Sequence, residues 1–263
     1  MRTLLAGTAI FALAIVMTMT GRGGGNFYVP ILVAAGSPMH EAATTGQFVL
    51  MSTAFAAMVV FHRHRRVDWK LALAIDPPTD LMALVGGYYA HLVTGTSLKF
   101  ILAGLLAVAS VCMVFKPKDR PSGTAPRFGF WRRSFHGEEY TVNLWAAIPI
   151  TAAVGLVAGA VGISGGSFKV PLMVLLCGVP MHIAVGTSSA MVAATALMGF
   201  IGHAGAGDCN PQWAIPIGCV AVVGGLLGGK FALKTKARKL KVLFADSTLA
   251  AAVFMLLNAL ITR

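Results

Sequence analysis

Long apolar stretches separated by short polar ones dominate the pattern along this chain. They cover approximately Thr3–Thr20, Glu41–Phe61, Leu71–Val93, Ser97–Phe115, Leu144–Val161, Ile183–Gly202, Trp213–Leu233 and Val242–Ile261. Each approaches the ~20 residues that cross ~30 Å of hydrocarbon at ~1.5 Å per residue, so the pattern predicts about eight transmembrane helices. Two shorter apolar pieces, Phe27–Gly36 and Phe168–Gly178, would reach only ~15 Å and are predicted to be re-entrant half-helices. The first run could be taken for a secretory signal, but the same arrangement returns from Leu144, where no signal can stand.

Composition supports lipid as the main solvent. Of 263 residues, 57% are apolar and 11% charged, against about a quarter charged in soluble domains. The net charge of +12 does not indicate a nucleic-acid partner, because the basic residues gather in alternate loops. These are 62–70 with Arg63, Arg65, Arg66 and Lys70, the polar stretch 116–143, and 234–241 with Lys234, Lys236, Arg238, Lys239 and Lys241. The connections around Ala90–Thr96 and Ala204–Gln212 carry no Lys or Arg. Under the positive-inside rule the three basic loops face the cytoplasm. The stretch 116–143 reads as a cytoplasmic linker joining a first repeat, 1–115, to a second, 144–263.

Self-comparison brings out the repeat. The run Gly21-Arg22-Gly23-Gly24-Gly25-Asn26-Phe27-Tyr28-Val29-Pro30 aligns with Gly162-Ile163-Ser164-Gly165-Gly166-Ser167-Phe168-Lys169-Val170-Pro171. After a one-residue slip, Gly36-Ser37-Pro38-Met39-His40 meets Gly178-Val179-Pro180-Met181-His182. If each short piece turns back, three further crossings put the halves in opposite orientations with both termini outside. Inverted repeats with interrupted hydrophobic segments at matching positions are the pattern of secondary transporters.

The fold class expected is therefore an all-α integral membrane protein of two inverted repeats. Non-helical backbone at membrane depth is tolerated where it lines a cavity or is buried in protein. The glycine runs would supply such backbone, Asn26 and Ser167 would cap the half-helices, and Pro30 and Pro171 would fall among the first N–H groups that lack helical partners. Amide groups at a helix N-terminus attract anions. A substrate anion is thus expected between the facing half-helix ends, bound by Gly24, Gly25, Asn26, Gly165, Gly166 and Ser167. Arg22 adds a full charge, and Thr45, Thr187 and Ser188 add hydroxyls.

Each assignment has a plainer competitor. Gly86, Gly87, Gly224, Gly225, Gly228 and Gly229 read as helix-packing residues, and Arg22 could serve structure alone. Glu41, Asp76 and Asp80, the last two flanking Pro77-Pro78, are candidates for proton coupling. The competing reading is a structural ion pair, such as Glu41 or Asp80 with Lys169, Lys99 or Arg22. The cysteines and histidines form no metal-binding pattern, so no cofactor, no metal and no enzymatic activity are expected.

Two copies of G-x-x-G-G-[NS]-F-x-V-P, each followed by a Thr/Ser-containing helix start (Ala42–Thr45; Ala184-Val185-Gly186-Thr187-Ser188), resemble the sulfite exporter TauE/SafE family. The resemblance implies transport of sulfite or organosulfonates across the bacterial inner membrane by a multi-pass protein. A secondary transporter for a small anion, working by alternating access, is the expected function, with coupling to protons an open option. An anion channel built on the same half-helices is the alternative. The implied partners are the small anion and the lipid bilayer, an oligomer being compatible with both.

Overall fold

The computed structural model of the chain describes residues 2–37, 39–88, 104, 107, 110–111, 128–161, 166–205 and 211–261. The described residues are mostly helical. In chain order the helices are α1 (Arg2–Met19), α2 (Gly25–Ala34), α3 (Met39–Arg63), α4 (Trp69–Tyr88), α5 (Leu144–Val161), α6 (Gly166–Pro171), α7 (Met181–Gly205), α8 (Pro211–Lys234) and α9 (Ala237–Ile261). A π-helical turn, Leu172–Leu176, continues α6, and a hairpin of β1 (Phe130–Phe135) and β2 (Glu138–Asn143) precedes α5. Three described spans are long and apolar enough to cross a membrane: Thr44–Arg63, Met181–Met198 and Pro211–Lys234. The expected crossing Ser97–Phe115 lies almost wholly outside the described residues.

The chain divides into two compact units, Met1–Val67 with Val185–Lys236, and Asp68–Ala184 with Ala237–Arg263. Each unit draws on both sequence halves. In unit 1, α8 packs against α1 and α3, while α2 lies along α3. Tyr28, Leu32, Val49, Leu50, Val192 and Ala221 are among the buried residues of its core. Close approach depends on the glycines of α8: an ideal Cβ on Gly225 would stand 2.5 Å from the Thr53 carbonyl oxygen and 3.1 Å from the Ala56 Cβ. Neither neighbour can rotate away, since one is helix backbone and the other a lone methyl. Gly225→Ala is therefore expected to lower stability by about 1–3 kcal/mol, the usual range for overpacking, measurable as a lower unfolding temperature in detergent.

In unit 2, α4 packs along α5, and Ser110 donates to the Ala245 carbonyl of α9 at 2.8 Å. The hairpin adds to the helical architecture within what reads from sequence as a linker. Its strands pair antiparallel from Phe130↔Asn143 to Phe135↔Glu138. The two-residue connection places His136 at φ 52° and Gly137 at φ 80°. Positive φ at both positions is the type I′ geometry that matches the twist of the flanking strands.

Candidate functional site

The first glycine motif begins as a helix ending. Gly21 N–H donates to the Thr18 carbonyl at 2.9 Å and Arg22 N–H to that of Met17 at 3.1 Å. Gly21 lies in the left-handed region at φ 74°. Together these bonds make a Schellman motif, with glycine at its αL position and Arg22 at the residue beyond. That next position normally carries an apolar side chain packed back on the helix. Here it holds an arginine that is only 3% exposed, where the sister motif has Ile163.

The chain then turns through Gly23 and Gly24 into α2. The helix cap is Gly24 at φ 89°, with no side-chain capping bond. This corrects the sequence expectation for Asn26, which stands one residue inside α2 rather than at its cap. Two consecutive glycines with positive φ let the helix start earlier than an Asn cap would permit. Pro30 accordingly lies inside the helix. Its missing N–H leaves the Asn26 carbonyl without the usual i→i−4 donor, rather than falling among the N–H groups that have no partner.

The turn is clasped by the start of α7. Ser188 Oγ donates to the Gly21 carbonyl at 2.8 Å, and an ideal Cβ on Gly21 would stand 2.8 Å from the Val185 carbonyl oxygen. The structure thus brings Ser188 to the Arg22 turn, with its proton committed to the backbone. Thr44, Thr45 and Thr187 are also buried, all at 4% exposure or less. Further into α2, the Tyr28 hydroxyl meets Thr53 Oγ1 at 3.4 Å. A cavity of about 630 Å³ opens between α1 and α8, lined by Phe11, Gln212, Trp213 and Pro216 among others. It lies ~15 Å along α1 from the Arg22 turn at the helical rise per residue, and its lining is mainly apolar.

The second motif belongs to unit 2. Gly165 lies outside the described residues; Gly166 and Ser167 open α6 and are buried. Lys169, at the repeat position of Tyr28, is 2% exposed and forms an ion pair with Asp76 of α4, itself 7% exposed. Of the coupling candidates, Asp76 is thus held by a cation, and the pair differs from the combinations weighed on sequence. Asp80 is half-buried one turn further along α4, while Glu41 is half-buried in the first turn of α3.

A polar cluster that sequence reasoning missed sits at the start of α4. Asp68 Oδ1 accepts from the backbone N–H groups of Lys70 and Leu71 at 3.1 and 3.2 Å, which makes it the helix cap. Its carboxylate also accepts a forked pair from Arg133, Nε at 2.8 Å and Nη2 at 2.9 Å, and a bond from the Tyr140 hydroxyl. Burial alone would raise the Asp68 carboxyl, but the donors from Arg133, Tyr140 and Leu71 hold it below its ordinary value. Because the folded value lies below the unfolded one, the clasp stabilises at neutral pH. That contribution fades as pH falls through the depressed value. Arg133→Ala is expected to flatten this acid dependence and to cost about 1.5–3 kcal/mol, the range for a charged hydrogen bond. Hydrogen exchange of the hairpin amides as a function of pH reads both effects.

Long apolar helices, with the short proline-containing α2 and α6 among them, define a helical membrane protein. The chain matches the family described as Sulfite exporter TauE/SafE over residues 5–255 and belongs to that family. It is 28% identical over 237 residues to "Probable membrane transporter protein YunE" of Bacillus subtilis, covering 86% of this chain and 84% of that protein. It is 31% identical over 110 residues to "Probable membrane transporter protein YdhB" of the same organism, covering 42% and 45%. A "Probable membrane transporter protein" of Xylella fastidiosa is 24% identical over 90% of this chain and 88% of its own. No solved structure matches significantly.

Proposed function

We propose that this protein is a secondary transporter that moves a small anion, sulfite or an organosulfonate, across the bacterial inner membrane by alternating access. One observation carries the reading: Arg22 is buried at the apolar position of a helix-ending turn, directly before the amide end of α2. A guanidinium shielded from water attracts an anion more strongly than an exposed one does, and its fork suits the oxygens of a sulfonate or sulfite. Gly24, Gly25 and Asn26 would present backbone amides to the ligand, and Thr45 and Thr187 hydroxyls. Ser188 serves by fixing the turn. The second motif, with Gly165, Gly166 and Ser167, offers groups of the same kind within the second repeat. The family description adds sulfite as the natural first choice of anion.

The test is counterflow in proteoliposomes. Labelled sulfonate outside should exchange against unlabelled sulfonate or sulfite inside, with saturation, while phosphate and carboxylates compete poorly. A flux that neither saturates nor shows counterflow would replace the carrier with an anion channel on the same half-helices. In parallel, sulfite or sulfonate should raise the unfolding temperature of the purified protein, as any ligand of the folded state does.

A further inference from the structure

Resting on that reading, we propose that Asp76 and Lys169 form a charge-exchange pair that couples anion movement to one proton. Both belong to unit 2, Asp76 on α4 and Lys169 on the half-helix α6, and both are buried. The first half supplies the comparison. At the matching half-helix position Tyr28 is tied to Thr53 by an uncharged hydroxyl contact. A neutral pair therefore suffices to anchor a half-helix to its neighbour. A buried ion pair is in general a weak way to gain stability, because desolvation of the two charges offsets their attraction. The charges on Asp76 and Lys169 thus call for a purpose beyond anchoring.

The surroundings suit proton exchange. Pro77 and Pro78 directly follow Asp76 inside α4. Lacking N–H groups, they leave the carbonyls of Leu73 and Ala74 without helical donors, and Leu73 and Pro77 are exposed. Asp80, half-buried one turn on, gives a second carboxylate near Asp76. No titratable side chain comes from α5, the helix packed along α4. Lys169 is the charged group of α6, and Arg133 and Tyr140 of the hairpin meet α4 two turns earlier, at Asp68.

The exchange balances. In the empty carrier Lys169⁺ faces Asp76⁻. An anion arriving at Lys169 releases the carboxylate, which takes up one proton from the side open to water. The loaded state then holds Lys169⁺, the anion and neutral Asp76. Counted over Lys169, Asp76 and the anion, the charge is zero in both states, so the pair adds no uncompensated charge to the low-dielectric interior. On the far side the anion leaves, Asp76 releases its proton and the pair re-forms. Monoanion and proton travel together, one to one, without net current.

Proteoliposomes with an internal pH dye test this, using methanesulfonate and benzenesulfonate, anions of strong acids that carry no protons themselves. An inward sulfonate gradient should acidify the lumen of wild-type vesicles, at a rate unaffected by membrane potential. Sulfonate uptake without proton movement would overturn the proposal. Asp76→Asn should keep counterflow, since the Arg22 turn that binds the anion is unchanged, but lose net uptake and its response to a pH gradient. Retained pH-driven uptake in that variant overturns it. If Asp76→Asn does not fold, Asp76→Asn with Lys169→Gln removes both charges, and retained pH-driven uptake in that double variant overturns the proposal. Absence of counterflow in the wild type would instead count against the transport reading itself.

Discussion

Arg22→Ala should abolish the stabilisation of the purified protein by sulfite or sulfonate and weaken anion binding by ~10- to 150-fold, the equivalent of ~1.5–3 kcal/mol for a hydrogen bond to a charged group. Arg22→Lys should fall between the two, since an ammonium keeps the charge and loses the fork. Arg22→Ile is the sharper variant. It installs the residue that the sister motif carries at Ile163, and the position beyond a Schellman glycine favours an apolar side chain. The expected protein folds, shows the unfolding temperature of the unliganded wild type or higher, and does not respond to anions. Calorimetric titration with sulfite distinguishes the outcomes; full affinity in Arg22→Ile would remove Arg22 from the site.

The second large effect belongs to Gly21. Alanine there would have to keep φ near 74° at a cost of about 1–2 kcal/mol for an L-residue. Its Cβ would stand 2.8 Å from the Val185 carbonyl oxygen and 3.0 Å from the Val185 Cα. Both neighbours are backbone of α7, so no rotamer change relieves the overlap, and overpacking adds roughly 1–3 kcal/mol. Shifting the turn would also pull the Gly21 carbonyl from Ser188. Gly21→Ala is expected to lower stability by the sum and to displace Arg22, with transport lost at temperatures where the protein is still folded. Ser188→Ala should be milder, about 0.5–1.5 kcal/mol for one neutral hydrogen bond. Unfolding temperature and counterflow, measured on the same preparations, separate the two contributions.

Most of the helices were legible in the sequence because apolar runs in a membrane protein state their own length. The first span was expected at Thr3–Thr20 and forms as Arg2–Met19, and the expected Leu144–Val161 forms with those bounds. The two short helices were legible as well, through glycine, proline and limited length: the expected Phe27–Gly36 overlaps α2, and Phe168–Gly178 overlaps α6 and its π-turn. Their caps were not, because the Asn26 assignment assumed a side-chain cap where two left-handed glycines perform the turn. The Asp68 clasp was illegible for another reason: Arg133 and Tyr140 are 65 and 72 residues away, and no periodicity links such distant positions. One local signal existed. His136-Gly137 between two alternating six-residue runs is a two-residue hairpin connection, overlooked because the surrounding stretch is rich in charge. The identity of the Lys169 partner could not be read either, since Asp76 and Asp80 lie on one helix a turn apart and only packing selects between them.

The way the compact units borrow helices from both sequence halves has a consequence for biogenesis. The core of unit 1 joins Ile10, Tyr28 and Leu50 to Val192, Ile217 and Ala221. As the chain leaves the ribosome, α1 to α3 have only one another to pack against in this core until α7 and α8 appear. At ~5–20 residues per second, the interval between Val67 and Val185 lasts on the order of ten seconds. For that time the first three helices and a buried arginine must be sheltered by lipid, translocon or chaperone. Slowed elongation within 68–184 should therefore lower the yield of folded protein, although it leaves every residue of the finished molecule unchanged.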